Sequence, residues 1–178
     1  LNLKMAINLS AHHLQDEQLA TKVESYMRQW GVPANLLEFE ITESAIMDNP
    51  VRAMDTLTQL SNMGASLSID DFGTGYSSLI YLKQLPVDEI KIDKSFVVDM
   101  LENAEDLVIV RSTIDLAHNM GRQVVAEGVE SEEVLNMLIE LGCDMAQGYF
   151  ISRPVTANIL TRGFQESQWP LKQIGGAR

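Results

Sequence analysis

The stretch Ser66-Leu67-Ser68-Ile69-Asp70-Asp71-Phe72-Gly73-Thr74-Gly75-Tyr76-Ser77-Ser78 decides the fold of this chain. Its first half alternates polar and apolar residues with a period of two, the mark of a strand, and delivers two adjacent carboxylates into a glycine-containing loop. Similar runs recur at Met5 to Ser10, Leu37 to Thr42, Glu89 to Asp93, Gln123 to Glu127 and, less distinctly, Asp144 to Phe150. The segments between them have helical period and helix punctuation: Gly31 and Pro33 after one, Asn49-Pro50 opening the next and Gly64 closing it, Gly121 and Gly142 closing two more, Ser131 capping a start. The strand ends at Ser10, Thr42, Asp71, Asp93, Glu127 and Gly148 lie 32, 29, 22, 34 and 21 residues apart, close to one βα unit each. A βαβα order predicts a parallel sheet, because every strand crosses back through a helix before the next begins.

Strand phase narrows the architecture. Ile7 and Leu9 oppose Asn8; Phe39 and Ile41 oppose Glu40 and Thr42; Leu67 and Ile69 oppose Ser68 and Asp70; Ile90 and Ile92 oppose Lys91 and Asp93. An antiparallel sheet with one wet face gives the same alternation, but helical crossovers already cover one face here. An open doubly wound sheet needs apolar residues in both phases. A TIM-like (β/α) barrel fits better, with apolar side chains toward the helices and polar ones converging near the C-terminal rim. A complete barrel takes about 250 residues, so the chain is expected to hold about six of eight βα units, with the N-terminal strands missing. Residues 1–178 are then one domain, its C-terminal three-quarters, cut from a longer polypeptide, and Leu1 in place of an initiator methionine agrees.

Composition bounds the function. At 46% hydrophobic, 178 residues bury a sizeable core. A formal charge of -12 argues against gripping long nucleic acid or an anionic membrane through a basic patch. A small anionic ligand remains compatible where metal ions screen the acids. Cys143 is the single cysteine, so there is no intrachain disulfide and no thiolate cage, and it reads as a small buried apolar residue. No apolar run is long enough to span a membrane.

Asn8, Glu40, Asp70 and Asp71 offer oxygen ligands only, which favours magnesium or manganese over zinc. His12, His13 and His118 lack ligand spacing and read as surface or packing residues. Two ions about 3.5–4 Å apart, bridged by a carboxylate, suit phosphodiester cleavage. A strand-end Asp70 and a loop Asp71 can turn toward one such cluster, whereas mid-strand neighbours diverge. Lys91 and Asp93 share the inward side, where the lysine positions a water or forms a structural ion pair. Glu127 adds an acid at a strand end, and Gln147 an amide that can orient water or substrate.

These residues resemble the EAL-domain phosphodiesterases, which hydrolyse the bacterial second messenger cyclic di-GMP to linear pGpG. The likeness runs through Ile7 to Ser10, Glu40 to Ser44, Asp70 to Ser78, Leu82 to Pro86, Lys91 to Phe96, Val124 to Glu130 and Gln147 to Tyr149. It implies a modified TIM barrel with two Mg2+ or Mn2+ ions. Asn8, Glu40 and Asp70 would be metal ligands, Asp70 bridging, with Asp71 and Glu127 completing the second ion's surroundings. Lys91 would hold the catalytic water, Gln147 would help orient it, and Asp93 would stand behind them. Glu43 would anchor the Phe72-to-Ser78 loop, including Gly73, Thr74 and Gly75, which couples metal and substrate binding to a homodimer. The parent is expected to be cytoplasmic and fused to sensory or GGDEF-type domains, which would supply any membrane anchor.

The Glu-Ala-Leu stretch that gives the family its name is absent. The chain alone is therefore expected to be weak or inactive, and its two uncovered strand edges favour self-association. Two other classes compete: a non-catalytic cyclic di-GMP receptor, and a magnesium-dependent carbon-acid enzyme of the enolase type. The first generally loses metal ligands that are intact here, and the second is separated by its product.

Overall fold

The computed structural model describes residues 3–75 and 79–165. In chain order the elements are β1 (Met5–Leu9), α1 (Ala11–Gln15), α2 (Leu19–Trp30), β2 (Leu37–Thr42), α3 (Glu43–Asp48), α4 (Pro50–Asn62), β3 (Ser66–Phe72), α5 (Leu79–Gln84), β4 (Glu89–Ile92), α6 (Lys94–Val97), α7 (Ala104–Asn119), β5 (Gln123–Ala126), α8 (Glu132–Glu140), β6 (Met145–Ala146) and α9 (Ala157–Gln165). The six strands form one parallel sheet in sequential order β1-β2-β3-β4-β5-β6. Among the described residues β1 and β6 do not pair with each other, so the sheet is an open arc of a TIM-like barrel.

Local chemistry sets the boundaries. Ser10 ends β1 by capping α1, its hydroxyl accepting from His13 N at 3.4 Å. Asn49 accepts from Arg52 N at 3.2 Å, and Pro50 fills the first helical position of α4, where its missing N–H loses nothing. Ser131 caps α8 through Val134 N at 3.2 Å. The sixth strand is shorter than the sequence predicts: pairing stops at Ala146, and Gly148 to Ile151 fold back in a turn, Ile151 N donating to Gly148 O at 3.1 Å.

The outward face of the sheet makes the core. Ile41, Leu67, Ile69, Ile90, Ile92 and Val124 are buried against Leu57 and Leu60 of α4, Val110 and Ile114 of α7 and Leu138 of α8. Each such side chain contributes roughly 1.5–3 kcal/mol. The alternation read from the sequence therefore places the apolar phase under the helices, including Leu9 of β1, except earlier in β1. There Ile7 is 38% exposed and, with Val23, Tyr26, Met27 and Trp30, lines an apolar cavity of about 430 Å³. Cys143 is buried, its thiol pushed up to about 11 by burial.

The opposite face carries the polar phase. Register puts Asn8 beside Glu40, Glu40 beside Ser68, Ser68 beside Glu89 and Lys91 beside Val125. Toward the strands' N-terminal ends Glu38 and Glu89 form a buried acid pair.

Candidate functional site

The Asp70–Asp71 pair owes its geometry to a β-bulge. Between the pairs Ile69–Ile90 and Phe72–Ile92, β3 has two residues, Asp70 and Asp71, where β4 has only Lys91. Asp71 absorbs the extra residue in the left-handed region at φ 53, the only non-glycine residue with positive φ among those described. Consecutive strand residues ordinarily face opposite ways, and this bulge cancels that alternation. The strand continues to Phe72, one residue further than the sequence suggests, so the bulge rather than a strand end brings both acids to one side. Thr74 closes the following turn, its hydroxyl donating to Asp71 O at 2.9 Å and its N–H to the same oxygen at 3.3 Å.

Glu127, just past the end of β5, completes a cluster. One carboxylate oxygen from each of Asp70, Asp71 and Glu127 lies within 4.8 Å of the others. Lys91 ties this group to Glu40. Its Nζ stands 2.8 Å from Glu40 Oε1, 3.1 Å from Asp70 Oδ1 and 2.7 Å from Glu127 Oε1. Asp70 Oδ1 is buried and accepts no well-directed hydrogen bond, although the ammonium is close enough for an ion pair. An oxygen with unused acceptor capacity inside an acid cluster suits a cation.

Charge points the same way. Burial raises the Asp71 carboxyl above its usual range, and the charges of Asp70 and then Asp93 add to this. Burial also raises Glu127, against the opposing hydrogen bond and charge of Lys91. Burial disfavours the Lys91 ammonium, but hydrogen bonds to Glu127 and Glu40, with the charge of Glu127, outweigh that and hold it charged. For Asp93 burial raises the carboxyl, yet hydrogen bonds from the Ser95 side chain and backbone, then from Asp71, bring it below the usual range. When all are ionised, Glu40, Asp70, Asp71, Asp93 and Glu127 exceed Lys91 by four negative charges, which two divalent cations would neutralise. The donor set is all oxygen and nitrogen-free apart from that lysine, so it fits hard cations.

The remaining sequence-chosen residues fall around this centre. Asn8 stands in register beside Glu40 on the neighbouring strand but outside the three-carboxylate cluster. Asp93 leaves β4 as the N-cap of α6, accepting from Ser95 N at 3.0 Å and from the Ser95 hydroxyl, and so faces Asp71 from behind. Gln147 sits at the end of β6, tied to the Glu127 loop by Gln147 N to Ala126 O at 2.8 Å and Val129 N to Gln147 O at 3.0 Å. Glu43 is buried at the start of α3 against Gly75, where an added Cβ would come 3.0 Å from Glu43 Oε2. Gly73 packs on Phe96 of α6, with a Cβ there 3.1 Å from the ring. Tyr76, Ser77 and Ser78 of the expected loop lie outside the described residues. His12 and His13 lie on α1, and His118 pairs with Asp144 at 2.9 Å, so none approaches the acids.

Sequence reading missed two features. The Glu38–Glu89 pair was visible as two acids in the inward strand phase, and Ser68, fully buried with an unpartnered hydroxyl, shares that phase. The contact of Gly148 with Val129, where a Cβ would lie 2.1 Å from the Val129 carbonyl oxygen, leaves no periodic trace.

Residues 1–154 match the EAL domain family. The chain is 43% identical over 153 residues to the cyclic di-GMP phosphodiesterase NbdA of Pseudomonas aeruginosa, covering 86% of this chain and 20% of that protein. It is 40% identical over 156 residues to the bifunctional diguanylate cyclase/cyclic di-GMP phosphodiesterase MucR of the same organism, covering 88% of this chain and 23% of MucR. The solved PaMucR phosphodiesterase in its c-di-GMP complex superposes with a TM-score of 0.85 at 39% identity, covering 88% of this chain and 64% of that one. The chain thus spans about a fifth of the length of these curated relatives. Among the described residues no helix is long and apolar enough to cross a membrane.

Proposed function

The chain belongs to the EAL domain family, and on that footing we propose that residues 1–178 are part of one phosphodiesterase domain that hydrolyses cyclic di-GMP to pGpG. The observation that carries this reading is the bulge that turns Asp70 and Asp71 onto one side with Glu127, while Lys91 links them to Glu40. Asn8, Glu40, Asp70, Asp71 and Glu127 are the residues that would hold two Mg2+ or Mn2+ ions. Bound there, such ions supply Lewis-acid activation of water and stabilise charge on the phosphodiester.

The chain's own groups do the rest. Lys91, an obligate donor, holds the attacking water by an N–H, and the Gln147 amide orients it. Asp93, fixed by Ser95, keeps Asp71 in place through the hydrogen bond between their carboxyls. Glu43 supports the turn at Gly73, Thr74 and Gly75 by packing under Gly75. The parent protein is a cytoplasmic signalling enzyme with further sensory or GGDEF-type domains, acting as a homodimer. The intact acid cluster favours an enzyme over a receptor.

The test is chromatographic detection of pGpG from cyclic di-GMP with Mg2+ or Mn2+ and with chelator, on the full-length parent protein as wild type, Glu40→Gln and Asp70→Asn, since the chain alone is expected to be weak or inactive. Metal-dependent turnover lost in both variants is the expected result. Undiminished turnover in both refutes the metal assignment.

A further inference from the structure

We propose that the Lys91 ammonium is a built-in counter-cation: it holds the Glu40, Asp70 and Glu127 carboxylates together without metal, and a divalent ion entering the site must displace it from them. The inference rests on the metal-site reading above and adds a competitor inside the site.

Lys91 reaches its three partners at 2.7–3.1 Å, and its side chain is only 5% exposed. An ammonium carries its charge to all three carboxylates it approaches, donating to Glu40 and Glu127 and standing in ion-pair range of Asp70. Those carboxylates come from β2, from β3 and from the segment after β5, so one side chain of β4 spans the rim on both sides of its own strand. Like-charged acids crowded there would otherwise repel one another, and leaving them unpaired in a buried rim is unfavourable. The lysine therefore keeps the ligand set assembled.

The same placement makes Lys91 a rival of any metal. All three partners are among the proposed ligands, and Asp70 and Glu127 also belong to the cluster whose oxygens lie within 4.8 Å. A divalent ion on those oxygens and the ammonium in its present position would be like charges within about 4 Å, so joint occupancy is disfavoured. Asp71 makes no ion pair with Lys91 and offers the entering ion its first uncontested oxygen. Lys91 thereby sets the metal concentration at which the site fills, separately from holding a water once it has filled.

Calorimetric titration of the purified protein with Mn2+ tests this on wild type, Lys91→Met and Lys91→Arg. Lys91→Met, which keeps an unbranched apolar stem and removes the charged end, is expected to bind Mn2+ at least about tenfold more tightly, while Lys91→Arg stays within about threefold of wild type. Equal or weaker binding by Lys91→Met overturns the proposal and leaves the metal site standing. Mn2+ binding absent from all three proteins overturns both. If Lys91→Met does not fold, the 15Nζ signal of Lys91 in wild type decides: saturating Mg2+ is expected to shift or broaden it, and an unmoved signal at saturation overturns the proposal.

Discussion

Replacing Gly148 by alanine tests how the rim is held. A Cβ at this position would lie 2.1 Å from Val129 O, 2.3 Å from Val129 N and 2.6 Å from Val129 C. All three contacts are backbone, so no rotamer change relieves them, and the turn after β6 must move away from the turn after β5. Overpacking of this kind costs about 1–3 kcal/mol. Moving the turns also weakens Val129 N to Gln147 O and Phe150 N to Val129 O, both at 3.0 Å, which contribute roughly 0.5–1.5 kcal/mol each. The expected loss is about 2–6 kcal/mol, a fall in Tm of roughly 4–24 °C for a chain of this size. Gly121→Ala is the control, since Gly121 has φ +71 but nothing within 4 Å of its Cβ position. It should lose only the left-handed strain of about 1–2 kcal/mol. Urea unfolding followed by circular dichroism measures both variants in chelator. Gly148→Ala unfolding no more easily than Gly121→Ala would refute the reasoning that close backbone contact locks these turns.

Two further predictions address charge. Burial, followed by the charge and hydrogen bond of Glu38, pushes the Glu89 carboxyl up to about 8. Its folded value exceeds the unfolded one, so its contribution to stability is full below about pH 4.3 and is lost as pH rises through about 8. Wild type should lose on the order of 1–3 kcal/mol between pH 5.5 and 8.5, and Glu89→Gln much less; parallel urea midpoints in the two proteins would sink the idea. Asp71→Gly should keep or raise metal-free stability, by roughly 0.5–1.5 kcal/mol, because glycine accepts φ 53 and the repulsion from Asp70 and Asp93 disappears. Stabilisation by Mn2+ in thermal melts should shrink at the same time, and a metal-free variant markedly less stable than wild type counts against strain at the bulge.

Much of the site was legible because strand phase is a strong signal. Glu40 and Lys91 share the inward phase of β2 and β4, the two strands that flank β3, and they meet at 2.8 Å in the structure. Asp70 and Asp71 were correctly grouped, but for a reason that needed correction. Two successive strand residues reach one cluster here through a bulge inside the strand, which depends on how β3 and β4 register and not on either sequence alone. Asp93 was read as an inward residue like Lys91, and it instead turns out of the strand to cap α6 and meets Asp71 from outside the strand phase.

Alternation, spacing and helix punctuation were sufficient to specify a parallel α/β arc with its polar phase toward the axis, because period and turn chemistry are local properties of the chain. They also identified the residue types able to hold hard cations, since ligand preference follows from oxygen donors and charge. Only tertiary structure decided which carboxylates share Lys91, how Asp71 is turned, and that Gly148 must be glycine. Those outcomes depend on distances between strands far apart in sequence, where one residue of register or one methyl group changes which atoms touch.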